Sequence, residues 1–191
     1  MWPIRTPRLC IRPFAEGDLD AISRLLDDCF GRESLAARRA WLDWTVRNYA
    51  ALARLRQPPY GDYAITLVDG GRIIGSVGLV PSFGPFGKLP SVGSHAREGA
   101  ERDLFTAELG LFWAIESTHR RAGYATEAAR AMAAFAFDEL RAARVVATTE
   151  HLNAASIGVM RRLGMTIERN PDATPEWFQT VGVLHNSARG R

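Results

Sequence analysis

Apolar residues recur along this chain at two spacings, and the switches between them mark alternating strands and helices. Leu9 to Pro13 is a short apolar run closed by proline, which predicts a first strand. From Glu16-Gly17-Asp18 onward, Leu19, Ile22, Leu25 and Leu26 repeat at helical spacing, so a helix begins there and Gly31 breaks it. A second, longer helix is expected from about Glu33 to Arg56, with Trp41, Trp44, Val46, Leu52 and Leu55 available for burial. Gln57-Pro58-Pro59 ends it. Tyr63 to Val68 alternates like a strand and Arg72 to Val80 is its partner. Asp69-Gly70-Gly71 makes the hairpin turn between them, because glycine tolerates positive φ.

The stretch from Pro81 to Asp103 is rich in Gly, Pro and Ser, has no period, and reads as a long loop insertion. Within it Phe83, Pro85, Phe86 and Leu89 form an apolar cluster that should pack on the body or on a ligand. After it, Ala107 to Ile115 is a strand and Arg120 to Ala125 a tight turn. A helix follows from Ala125 to Leu140, with an inward stripe at Ala125, Ala128, Ala129, Met132, Ala136 and Leu140. Arg144 to Thr149 is strand-like. Asn153 opens a short helix carrying Ile157, Met160 and Leu163, and Gly164 closes it. Met165 to Arg169 and Trp177 to Leu184 are the last strands. Helices interleaved with strands argue for an α/β layer architecture. The unit from Ala107 to Thr149 should be a right-handed parallel crossover. No repeat or boundary divides residues 1–191, so one domain is expected.

Composition narrows the function classes. The formal charge is +3, and the arginines alternate with acids, as in Arg97-Glu98 and Glu101-Arg102-Asp103, so no basic stripe for nucleic acid emerges. Cys10 and Cys29 are the only cysteines, too few for a disulfide framework, which favours a reducing cytoplasm. His95, His119, His151 and His185 lie far apart and lack metal-ligand spacing, so no metal is expected. No apolar stretch is long enough to cross a bilayer, and Met1 to Arg5 lacks a signal-peptide core, so no membrane partner is expected. Neither a Gly-x-Gly-x-x-Gly after a first strand nor a P-loop is present, which argues against dinucleotide and NTP chemistry.

The chemistry-bearing segment is Arg120-Arg121-Ala122-Gly123-Tyr124-Ala125-Thr126-Glu127, between a strand and an alanine-rich helix. Main-chain N–H groups at a helix start lack internal partners and carry partial positive charge, and a glycine there lets a phosphate approach. A plain turn fits the same residues. The pattern Arg120-x-x-Gly123-x-Ala125 resembles the cofactor loop of the GNAT (Gcn5-related) N-acetyltransferase superfamily. Gly-Tyr-Ala-Thr-Glu-Ala, the opening Thr6-Pro-Arg-Leu-Cys-Ile-Arg-Pro-Phe14, and Asn153-Ala-Ala-Ser156-Ile-Gly-Val-Met-Arg-Arg-Leu-Gly-Met165 resemble its ribosomal-protein-alanine N-acetyltransferase branch. These motifs stand in the right order over almost the whole chain.

The resemblance implies a mixed α/β fold with a central splayed sheet of about seven strands, acetyl-CoA lying between its fourth and fifth strands. It implies pyrophosphate binding by the Arg120 turn, through Arg121, Ala122, Gly123, Tyr124, Ala125 and Thr126. It also implies backbone contacts from Leu111, Phe112, Trp113, Ala114 and Ile115 to the pantetheine arm, with Asn153 bonding the pantetheine amide. An ordinary N-cap suits Asn153 equally. The family's reaction is direct attack of an amine on the thioester, through a ternary complex. Glu108 is the candidate base at the start of the cleft strand, although a solvent-facing strand residue fits it equally, and Glu116 is a weaker candidate. The position where many members carry a tyrosine proton donor is Met160 here. Ser156, one turn earlier, is therefore the candidate that aids thiolate departure. A non-catalytic acyl-CoA-binding or sensor module of the same fold stays open, as do the acceptor (protein N-terminus or small-molecule amine) and a homodimer.

Overall fold

The computed structural model describes residues 3–92, 104–170, 172 and 174–187. His95 and the charged stretch from Arg97 to Asp103 lie outside them. The elements in order are β1 (Ile4–Arg5), β2 (Leu9–Pro13), α1 (Leu19–Phe30), α2 (Leu35–Arg54), β3 (Gly61–Leu67), β4 (Ile73–Gly84), β5 (Thr106–Ile115), α3 (Tyr124–Asp138), β6 (Arg144–Thr149), α4 (Ala154–Leu163), β7 (Thr166–Arg169) and β8 (Thr180–His185). The strands form a mixed eight-stranded sheet in the order β1-β2-β3-β4-β5-β6-β8-β7, one more strand than the sequence suggests. β5 and β6 are parallel, as expected of a strand–helix–strand crossover, with the register Gly110↔Val146. The chain divides into two compact units. One comprises residues 1–79 and 112–132, the other 80–111 and 133–191, so that β4, β5 and α3 each contribute to both.

In the first unit the predicted face of α1 is the buried one: Leu19, Ile22, Leu25 and Leu26 pack with Phe14, Leu42 and Ala64. Trp41 meets Phe14 edge-on at 5.8 Å. The inner side of α2 differs from the expected apolar stripe. Its buried residues are Arg38, Leu42 and Thr45, whereas Trp44 and Leu55 are 60% and 68% exposed. The reason is a polar anchor. Arg38 donates to Asp27 Oδ1 at 2.8 Å and to the Gly31 carbonyl at 2.6 Å, closing the C-terminus of α1. That bond fixes the rotation of α2 and turns Trp44 outward. Ser34 caps α2 by accepting from the Ala37 N–H at 3.1 Å.

In the second unit, residues 81–92 of the expected loop insertion pack on the body. β4 runs on to Gly84, and a 3₁₀ turn spans Phe86–Lys88. Phe86, Leu89 and Val92 are buried against Val146, Phe178, Val181 and Val183. Phe86 meets the Phe178 ring edge-on at 4.9 Å. The Ser91 N–H donates to Glu168 Oε1 at 2.7 Å, and Lys88 pairs with Asp172. Phe83 alone stays outside, 62% exposed, with its ring 5.6 Å from that of Phe105. The apolar cluster thus packs mainly on the body. Residues 93–103 lie outside the described set. On α4, Met160 is fully buried, 3.1 Å from where a Cβ on Gly182 of β8 would stand.

Candidate active site

In the first unit, β5 ends at Ile115 and a 3₁₀ turn at Ser117–His119 leads to Arg120. Arg121 (φ 61°) and Gly123 (φ 84°) then both adopt left-handed backbone. Two such residues so close together coil the main chain into a concave turn just before α3. The Gly123 carbonyl accepts from the Glu127 N–H at 3.0 Å, an early bond of the helix. The N–H groups of Tyr124, Ala125 and Thr126 form its first turn, where no intrahelical acceptor exists. Among the described residues, none accepts from the N–H of Arg121, Ala122 or Gly123. The turn is a row of main-chain donors at the positive end of a helix.

Two side-chain networks hold that row in place. Arg120 Nε donates to the Ile115 carbonyl at 2.9 Å, and Asp28 Oδ2 accepts from the Ser117 N–H at 2.6 Å. On the other side, Arg8 and Thr6 grip Glu127. Arg8 Nε donates to Glu127 Oε2 at 2.7 Å, while the Arg8 main-chain N–H (3.0 Å) and Thr6 Oγ1 (2.6 Å) donate to Oε1. Arg8 Nη1 also donates to the Ala122 carbonyl at 2.9 Å, and the guanidinium lies 4.5 Å from the Tyr124 ring centroid. Burial pushes the Glu127 carboxyl up, but the bonds from Thr6 and Arg8 outweigh it and hold the group below its ordinary range. This brace was not seen in the sequence, although both halves sit inside the motifs quoted above. No spacing rule links position 6 or 8 to position 127.

Glu116 is engaged at the same end of β5, with Arg72 at 3.0 Å and His119 at 3.2 Å. Of the strand residues expected along the pantetheine, Ala114 and Ile115 are buried, and Phe112 and Trp113 half-buried.

In the second unit, Leu111 is buried and Glu108 is not a free carboxylate. Arg144 of β6 grips it in a fork, Nε to Oε2 at 2.8 Å and Nη2 to Oε1 at 2.5 Å, with the Glu108 side chain only 10% exposed. Both carboxylate oxygens are thereby engaged by one guanidinium. Asn153 caps α4: its Oδ1 accepts from the Ser156 N–H at 3.1 Å, and its Nδ2 donates to Thr149 Oγ1 at 2.9 Å. Each end of that amide retains one further hydrogen-bonding position. Ser156 is half-buried one turn before Met160. Among the described residues no cluster has the makings of a metal site, and no helix is long and apolar enough to cross a membrane.

A parallel crossover whose helix begins on a donor-lined left-handed turn is an architecture suited to holding an anionic group. Comparison with known proteins makes the class specific. Residues 8–166 match the acetyltransferase (GNAT) domain family, and the chain belongs to it. It is 36% identical over 63 residues to the uncharacterized N-acetyltransferase YnaD of Bacillus subtilis (strain 168), a match spanning 33% of this chain and 36% of that protein. A solved acetyltransferase from Agrobacterium tumefaciens superposes with a TM-score of 0.67 over 97% of this chain and 95% of its own, at 24% identity. The ribosomal L7/L12 alpha-N-protein acetyltransferase RimL, solved in complex with coenzyme A, superposes with a TM-score of 0.64 over 97% and 99%, at 16% identity. At these identities the structural likeness concerns the fold.

Proposed function

We propose that this chain is an acetyl-CoA-dependent N-acetyltransferase that passes the acetyl group directly to a primary amine within a ternary complex. The observation that carries the reading is the turn from Arg121 to Thr126. Its main-chain donors converge at a helix start, and Arg8, Thr6 and Arg120 hold it in shape before any ligand arrives. A pyrophosphate fits such a row of N–H groups, and Gly123 supplies left-handed backbone that the row requires. The resemblance assigns the pantetheine arm to the backbone of Leu111 to Ile115 and to Asn153, and thiolate departure to Ser156. The acceptor is a small-molecule amine or a protein N-terminus. Cys10 and Cys29 are both unpaired thiols, which supports a cytoplasmic setting.

Calorimetry with acetyl-CoA, followed by thiol release against a panel of amines, tests the proposal. Wild type should bind and turn over. Gly123→Val should abolish binding, because a β-branched residue at φ 84° is strained and its Cβ would stand 3.4 Å from Arg8 Nη2, against the guanidinium that braces the turn. Equal binding by both proteins would refute the placement. Binding without turnover of any amine would favour a non-catalytic acyl-CoA-binding module.

A further inference from the structure

One carboxylate of the first unit is free of the kind of ion pair that occupies Glu108. Asp62 lies on β3 in register with Gly78 of β4, so the two positions face the same side of the sheet. This is the side covered by α1 and α2, since Ala64, the next residue of that face, packs with Leu42 and the α1 leucines. Tyr49 of α2 donates to the Asp62 carbonyl at 2.5 Å. Gly78 carries no side chain. A Cβ there would clash with the Gly61 carbonyl oxygen and come within 2.7 Å of Phe112 Cε1, so that carbonyl and the Phe112 ring of β5 cover Gly78 on the same face. Asp62 follows Gly61 directly, so it adjoins the carbonyl that, with the Phe112 ring, covers Gly78, and Phe112 is on the strand to which the resemblance assigns the pantetheine arm. The β3 to β5 separation is about two strand spacings, roughly 10 Å, a gap that an elongated amine or a short chain of waters can span.

The polar groups around Asp62 are short of partners. Among the described residues its carboxyl has no ion pair. Ser76, register partner of Ala64, lies near enough to favour the charged form, yet its buried Oγ makes no hydrogen bond within ordinary geometry. Thr45, one turn before Tyr49 on the buried side of α2, also has an unpartnered hydroxyl. Such groups are costly when buried, and a polar ligand would relieve them. The other ionisable groups of this face are accounted for. Burial pushes the Tyr49 phenol up, so it stays neutral. Arg12, register partner of Ala64 on β2, is bound by Asp18 at 2.7 and 2.9 Å. Phe112 carries no charge. Burial lifts the Asp62 carboxyl to about 6, and Ser76 offsets only part of the rise.

We propose that Asp62 is the carboxylate that receives the acceptor's ammonium group and takes its proton. The proposal rests on the N-acetyltransferase reading. The ammonium gives one proton to Asp62, which later releases it to solvent. The neutral amine attacks the thioester carbon, a C–N bond forms and the C–S bond breaks. The second proton leaves the nitrogen and ends on the coenzyme A thiolate.

The test compares wild type with the near-isosteric Asp62→Asn. Acceptor kcat/KM is measured from pH 5 to 9, acetyl-CoA affinity by calorimetry, and folding by a melt. Wild type should show an acid limb near pH 6. The variant should lose about a hundredfold or more in kcat/KM and lose that limb, with acetyl-CoA affinity unchanged. Turnover within about threefold of wild type and an intact limb would overturn the proposal. Should wild type turn over no amine, butylammonium binding to the protein saturated with coenzyme A decides. Loss of that binding in Asp62→Asn keeps the ammonium site while the transferase reading falls. Equal binding, or none to wild type, overturns the site itself.

Discussion

Replacing Arg8 by alanine isolates the brace behind the phosphate turn. The substitution removes both side-chain contacts to Glu127 at 2.6 and 2.7 Å, the bond to the Ala122 carbonyl, and the packing over Tyr124. The Arg8 side chain is 47% exposed, so the ion pair is screened and contributes about 0.5–1 kcal/mol. The carbonyl bond adds about 1 kcal/mol and the cation–π contact about 0.5 kcal/mol. The total is about 2 kcal/mol, or roughly 4–8 °C in Tm for a chain of this size. Because the lost contacts hold Ala122 and Glu127 on either side of Gly123, part of the loss should reach the cofactor. A turn less often in its binding geometry should weaken acetyl-CoA binding about tenfold, with a ceiling near 30-fold. Arg8→Lys should restore the charge but not the fork, and so only part of the affinity. Glu127 is held below its ordinary pKa, so the brace acts fully at neutral pH and is lost as pH falls through that lowered value. Melts of wild type and Arg8→Ala should therefore converge in acid. Calorimetry showing unchanged acetyl-CoA affinity beside a lowered Tm would refute the link to the turn and leave Arg8 a stabilising residue alone.

The remaining predictions concern single residues. Phe86→Ala should cost about 3–5 kcal/mol in denaturant melts, because its ring is fully buried, whereas exposed Phe83→Ala should cost less than about 1 kcal/mol. Any change in acceptor preference should accompany Phe83. Arg144→Met should destabilise by about 2–4 kcal/mol by stranding the largely buried Glu108 carboxylate. Glu108→Gln should leave the acid limb of the pH–rate profile in place. Asp62→Asn should stabilise the fold at pH 8 and not at pH 4. The raised pKa of Asp62 penalises the native state above about pH 6, and the penalty fades as pH falls toward its ordinary value of 3.8.

Hydrophobic period alone located β2, α1, β6 and α4, because each pairs a regular apolar face with a clear stop signal such as Gly31 or Gly164. The turn at Arg120 to Thr126 was equally legible, since glycine at positive φ and a run of small residues are local requirements. What the local pattern could not show was which side chains meet across distant segments. Trp44 looks like core until Arg38 reaches Asp27 and sets the rotation of α2. Phe86 lies in a glycine-rich stretch that reads as loop until Phe178, 92 positions later, supplies its partner. Glu108 reads equally as a base or a solvent-facing strand residue, and parallel pairing brings Arg144 onto it. Asp62 drew no notice in a short strand. Its chemistry comes from an unpaired place beside Gly78 and Phe112, set by the register of three strands and the helix above them. Period and turn chemistry are properties of neighbours along the chain, whereas the charge state and partners of a carboxylate depend on neighbours in space.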